Sequence, residues 1–167
     1  VFVVSELGLT ATAAGTILGV YGGTRVLVSP LSGTVMARLG RKRTMVVTTC
    51  IAAIGMAAIP FALSLWTVGV ATVGYAVGEA LLNPVVNDAV AAFAADDQRA
   101  GIMSGLQVLK NVGLTAAPVV MGTVIGLAGF KSAFLVAAAI GIGYALAIAA
   151  YFLLLARGPE ATTDKSR

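Results

Sequence analysis

The sequence has no histidine and a single cysteine, Cys50, in 167 residues. One thiol excludes an intramolecular disulfide framework, and the lack of imidazole excludes a His/Cys metal cluster. A membrane-embedded enzyme would need a nucleophile–base pair or a metal set, and the sequence carries no motif for either. Charge is scarce as well. Only 11% of residues are charged, where a soluble domain carries about 25%. Hydrophobic residues make up 59% of the chain, and the mean hydropathy is +0.98. That balance defines an integral membrane protein. The net charge of +4 does not indicate a nucleic-acid partner, because the cations cluster beside apolar runs, as topology control requires. No cofactor or metal is implied.

The runs themselves have the length of membrane spans. After an apolar stub, Val1–Val4, and a polar turn from Glu6 to Thr10, five follow: Ala11 to Arg38, Thr44 to Leu63, Leu65 to Ala94, Ala100 to Leu127 and Lys131 to Ala156. At about 1.5 Å per residue, helices of this length cross a hydrocarbon core of about 30 Å with some tilt. The runs are too long for strands and lack polar–apolar alternation. Short links at Pro60–Ser64, Ala95–Arg99 and Ala128–Phe130 predict antiparallel neighbours in an all-α bundle. The segment Gly158–Arg167 reads as a polar, disordered tail. The stub shows no basic region or cleavage site of a signal peptide, and the chain reads as a fragment entered at the end of an earlier helix.

Between spans one and two, Arg38, Arg41, Lys42 and Arg43 crowd into one basic loop, which the positive-inside rule assigns to the cytoplasm. The Asp96–Arg99 loop and the tail then lie inside as well, and the Glu6, Ser64 and Gly129 turns lie outside. Eight Lys and Arg residues fall inside against one, Lys131, outside. Trp66 falls at the outer interface, where an indole is favoured. The expected location is the cell (inner) membrane with a cytoplasmic C-terminal tail.

The informative residues are polar groups within the spans. Span one carries Arg25; span three carries Glu79, Asn83, Asn87 and Asp88; span four carries Lys110 and Asn111. A charge at the bilayer centre costs at least about 2.5 kcal/mol, so spans one, three and four are expected to face an interior or a cavity. Spans two and five, uncharged between their ends, are expected to be peripheral, with lipid on every side. From the inner boundary, Lys110 lies about 15 Å deep, Asn83 about 16 Å, Glu79 about 22 Å and Arg25 about 20 Å. Glu79, Asn83 and Asn87 follow an i, i+4, i+8 stripe. Pro84 removes one backbone hydrogen bond and predicts a kink lining a cavity. A polar site near the midplane, built from Arg25, Glu79, Asn83 and Lys110, is therefore expected. The alternative is structural pairing, but interhelical polar contacts average only about 0.6 kcal/mol in one well-measured bundle. Asp88, about 9 Å deep, reads equally as a gate or a structural pair, and Asn111 is open between a site and a structural role. Cys50, the methionines and the tyrosines read as packing. Gly15, Gly19, Gly22, Gly23, Gly101, Gly105, Gly122 and Gly126 form small-residue faces suited to close helix approach.

The hinge Gly33-x-x-x-Ala37-Arg38-x-Gly40-Arg41-Lys42-Arg43 resembles the loop signature of the major facilitator superfamily, usually written G-x-x-x-D-R-x-G-R-R/K-R/K. Ala37 replaces the acidic residue, which points to the degraded copy in the family's second half. Span three lacks the basic residue that many proton-coupled exporters of the family carry in their fourth helix. Gly113-x-x-x-Ala117-Pro118-x-x-x-Gly122 resembles a loosened form of the antiporter motif G-x-x-x-G-P. The resemblance covers essentially the whole chain and implies helices 8 to 12 of the twelve, with Val1–Val4 ending helix 7.

It implies a secondary transporter in which Gly33, Arg38, Gly40, Arg41, Lys42 and Arg43 latch the cytoplasmic side, weakened by Ala37; the same loop also reads as a topology anchor alone. Gly113, Pro118 and Gly122 are implied helix-packing positions. The expected partners are the lipid bilayer, the N-terminal half of the same transporter, and a small-molecule substrate with H+ as a possible co-substrate. Glu79 is the candidate proton-coupling carboxylate, and an anionic substrate on Arg25 and Lys110 is the other reading of the same groups. Direction, efflux or uptake, stays open. A non-transporting membrane scaffold would use the same small-residue faces but gives no reason for mid-depth charge.

Overall fold

The computed structural model describes residues 8, 10–95 and 97–156. Val1–Val4, the Glu6 turn, Asp96 and the tail from Gly158 lie outside the described residues. Regular structure among the described residues is entirely helical. Helix α1, Ala11–Val28, starts where the Thr10 hydroxyl accepts a hydrogen bond from the Ala13 amide at 3.3 Å, relieving one of the unpaired N–H groups of a helix start. Pro30 lacks an N–H, and the chain tightens into a 3-10 turn at Ser29–Leu31 before resuming as α2, Ser32–Leu39. Helix α3, Arg41–Ala58, follows, with a 3-10 turn at Ile59–Phe61. Helix α4, Leu65–Phe93, opens with a capping box in which Ser64 and Thr67 exchange side-chain and backbone bonds. Helix α5, Arg99–Ala156, is broken at Gly129, whose φ of 79° and ψ of 170° are open only to glycine. Its two arms, residues 99–128 and 130–156, correspond to spans four and five.

Among the described residues, three helices are long and apolar enough to cross a membrane: Arg41–Phe61, Leu65–Ala92 and Arg99–Ala150, the last containing the Gly129 break. Helix α1 is not among them; Arg25 and its threonines and glycines dilute its hydropathy.

The basic loop is shorter than the sequence reading has it. Only Gly40 leaves the helical conformation, at φ 78° and ψ 155°. Its amide donates to the Met36 carbonyl at 2.9 Å, and its own carbonyl accepts from the Thr44 amide at 3.1 Å. Arg38 therefore ends one helix, and Arg41, Lys42 and Arg43 form the first turn of the next. Cations there oppose the helix dipole, which makes a nearby anion valuable.

Packing corrects the expectation that spans two and five are peripheral with lipid all round. Helix α3 is the packing centre, in extensive contact with α4 and α5. It buries Thr44, Met45, Thr48, Thr49, Ala53 and Gly55. The second arm of α5 buries Ala133, Ala138 and Ala145. The buried threonine hydroxyls bond carbonyls one turn back, Thr44 to Gly40 at 2.8 Å, Thr48 to Thr44 at 2.7 Å and Thr49 to Met45 at 2.7 Å. With its hydroxyl satisfied, each threonine packs like a small branched apolar residue. An uncharged helix is thus as fit for tight packing as for lipid. The first arm of α5, expected to be an inner helix, buries none of residues 101–128.

The close-approach glycines are also different from those expected. A Cβ added at Gly55 would lie 2.3 Å from the Tyr75 nitrogen, and one at Gly78 would lie 2.4 Å from the Ala52 nitrogen. Helices α3 and α4 meet backbone to backbone at these two points. Gly15, Gly19, Gly22, Gly23, Gly101, Gly105, Gly113, Gly122 and Gly126 have no such neighbour within 4 Å among the described residues. Within this chain those faces are open.

Candidate functional site

Helices α1 and α4 pack together and carry the central polar groups at matching heights. The Arg25 guanidinium lies 3.6 Å from a Glu79 carboxylate oxygen, with both side chains partly buried. Tyr21 completes the pair. Its hydroxyl accepts from Arg25 Nη1 at 3.1 Å and donates to Glu79 Oε2. The guanidinium carbon also sits 5.4 Å from the Tyr21 ring centre, within cation–π range. Behind it the Tyr21 and Tyr75 rings stack, with centroids 5.9 Å apart and planes 12° from parallel.

One turn further along α4, Asn83 and Asn87 receive Lys110 from the first arm of α5. The ammonium donates to Asn87 Oδ1 at 2.9 Å and to Asn83 Oδ1 at 3.4 Å. Asn83 Nδ2 in turn donates to the Glu79 backbone carbonyl at 3.3 Å. Helix α4 continues through Pro84, which offers no N–H to the Ala80 carbonyl. A groove of about 560 Å³ lies between α1 and α4, lined by Gly22, Arg25, Ser29, Ala80, Asn83 and Asn87 among others. Arg25, Glu79, Asn83, Asn87 and Lys110 are therefore joined in one connected set, through Tyr21 at one end and Asn83 at the other.

Other candidates lie apart from it. Asp88 pairs with Arg41, at 2.8 Å to Nη2 and 2.9 Å to Nε, which ties the start of α3 to the last turns of α4. Asn111 is exposed, and its side-chain oxygen accepts a long bond, 3.4 Å, from Gln107 one turn back on its own helix. Arg38 and Arg43 are exposed, and Gly33 faces open space. Gly113, Pro118 and Gly122 lie on the exposed face of the first arm of α5.

Reading the tyrosines as packing misses Tyr21 and Tyr75. The signal for them is spacing: Tyr21 precedes Arg25 by four residues and Tyr75 precedes Glu79 by four, which puts each ring on the same face as its charge.

A second cavity, of about 390 Å³, lies toward the opposite end from the basic hinge. Ile17, Met56, Ile59, Met121, Phe130 and Phe134 are among its apolar lining.

Together, long apolar helices and a charged set partly buried between them define a polytopic membrane protein with a polar site. A family model for the Major Facilitator Superfamily matches residues 1–167. The chain belongs to that superfamily, a family of membrane transporters. No curated protein and no solved structure matches it.

Proposed function

We propose that this chain is the C-terminal half of a secondary transporter that carries a small molecule by alternating access, rocking against an N-terminal half around the groove between α1 and α4. The observation that carries the reading is the convergence of Arg25, Glu79, Asn83, Asn87 and Lys110, drawn from three helices, onto one connected polar set. A scaffold needs only close packing, which Gly55 and Gly78 supply, and gives no reason to hold charged groups within the spans. The open glycine faces of α1 and the first arm of α5 suit docking of the other half.

In this reading the protein sits in the cell membrane with the basic hinge and the C-terminal tail in the cytoplasm. Gly40 lets α2 and α3 pivot there, and the Arg41–Asp88 pair holds α3 to α4 at the cytoplasmic end. Arg38, Lys42 and Arg43 supply the charge that keeps this end inside. In this reading transport proceeds without chemical change of the solute. Glu79 is the proton-coupling group: bound H+ cancels its attraction for Arg25, so proton and solute occupancy influence one another. In the complete protein reconstituted into vesicles, Glu79→Gln abolishes proton-linked flux, in whichever direction it runs. Unchanged coupling in that variant removes Glu79 from the mechanism.

A further inference from the structure

The charges around the groove do not balance. Three acidic side chains are described: Glu79, Asp88 and Asp97. Glu79 is engaged by Arg25, Asp88 by Arg41, and Asp97 lies in the link before α5. Among the described residues, Lys110 meets only the carboxamide oxygens of Asn83 and Asn87. Two of its N–H donors are satisfied and one remains, but no carboxylate among the described residues pairs with its charge. An ammonium within a membrane span without a counter-charge is costly. With its oxygen committed to Lys110, Asn87 keeps its amide N–H groups as donors at the groove. Arg25 lines the same groove.

We infer that the groove takes a small solute bearing one carboxylate, held by the Arg25 guanidinium and the Asn87 amide that line it and by the Lys110 ammonium bound to Asn83 and Asn87 at its edge, and that H+ on Glu79 and this anion bind with positive linkage. The inference rests on the groove being a substrate site. With Glu79 ionised, two cations against one carboxylate leave a single excess positive charge, which one monoanion cancels; when H+ and the monoanion bind together, the site keeps the net charge it has when empty. The linkage follows from charge alone. An anion on Lys110 and Arg25 stands beside the Glu79 carboxylate and is repelled by it; protonation removes the repulsion and frees Arg25 from its ion pair. The groups facing Glu79 are Tyr21 and Arg25 from α1, Tyr75 and Asn83 along α4, and Lys110 from α5 through Asn83. Helix α3 adds no charge there, since its cations all lie in its first turn. Favouring joint occupancy by H+ and the anion, the site couples them in the same direction.

The test is binding by the purified complete protein, read by thermal unfolding and then calorimetric titration, with sodium lactate and sodium benzoate against their neutral amides. A carboxylate raises the unfolding midpoint where its amide does not, and its affinity rises as the pH falls. Lys110→Gln weakens that binding about tenfold or more, the loss of a hydrogen bond to a charged group. Asn87→Asp, nearly isosteric and able to keep the Lys110 contact, abolishes it by repulsion and covers the case in which Lys110→Gln does not fold. In Glu79→Gln the pH dependence of binding disappears. Equal response to acids and amides, or wild-type affinity in both Lys110→Gln and Asn87→Asp, overturns the inference. Carboxylate binding without proton-linked flux keeps the inference and removes the carrier reading. Proton-linked flux of a neutral or cationic solute without carboxylate binding does the reverse.

Discussion

Tyr21 serves both ends of the Arg25–Glu79 pair with one hydroxyl, accepting from the guanidinium and donating to the carboxylate. At 3.6 Å the direct ion contact is loose, so the phenol orients the pair more than Coulomb attraction alone does. The ring's stack on Tyr75 depends on its face rather than on the hydroxyl, and Tyr21→Phe therefore isolates the two polar contacts. Each hydrogen bond to a charged partner is worth about 1.5–3 kcal/mol where water is excluded. The variant is expected to lose about 1–3 kcal/mol of stability by thermal or denaturant unfolding and to slow proton-linked flux, with the stack retained. If flux and stability both match the wild type, Tyr21 is packing and nothing more. Asp88 has a different weight. Its pair with Arg41 is about two-fifths exposed on each side, and such pairs contribute about 0–1 kcal/mol. Its value lies in which helices it ties together.

At the scale of elements, boundaries are legible in the sequence because chemistry marks them. Pro60 and Ser64 close one link, Arg99 opens the last long helix, and Gly129 breaks it at a backbone conformation that other residues avoid. The polar set is legible for the same reason: Arg25, Glu79, Asn83 and Lys110 are anomalies against an apolar background. Neighbour relations are not marked in this way. Thr48 and Ala53 at the buried centre of α3 do not differ in charge from residues that face lipid, so the lack of charge on that helix says nothing about its partners. Glycines mislead similarly, since a small-residue face has the same composition whether its partner is in this chain or outside it. The contact itself separates them. Gly78→Ala drives a methyl to 2.4 Å from the Ala52 nitrogen and 2.6 Å from the Thr48 oxygen, both backbone atoms. Helices α3 and α4 must separate to admit it, at a cost of about 1–3 kcal/mol, typical of overpacking. Gly143→Ala meets nothing within 4 Å and is expected to be neutral or to stabilise by up to about 1 kcal/mol through helix propensity. Unfolding midpoints of the two variants in detergent check the contrast, and equal midpoints contradict the backbone contact between α3 and α4.

At the scale of the molecule, cations sort the two ends. The Gly40 hinge gathers Arg38, Arg41, Lys42 and Arg43 in six residues, and Arg99 begins α5 at the far side of the next link. At the Gly129 break itself the neighbouring cation is Lys131. Inserting the chain with the hinge outside would carry this whole cluster across the membrane against the positive-inside bias. The helix breaks agree with that arrangement, because Gly40 and Gly129 are separated by three traverses, α3, α4 and the first arm of α5, and an odd number leaves them at opposite ends of the bundle. Three crossings follow from Gly40 to Gly129 if each long helix spans the bilayer, so the two glycines face different compartments. Replacing Cys50 by Ser leaves these 167 residues free of thiols, and single cysteines can then be placed at either end and compared with the Cys50→Ser parent. In intact cells, Lys131→Cys is expected to react with a membrane-impermeant maleimide while Arg43→Cys reacts only after permeabilisation. The reversed pattern inverts the proposed orientation. Labelling of both positions from one side removes the three-crossing path between them, and with it the alignment of Arg25, Glu79 and Lys110 across a common bilayer midplane.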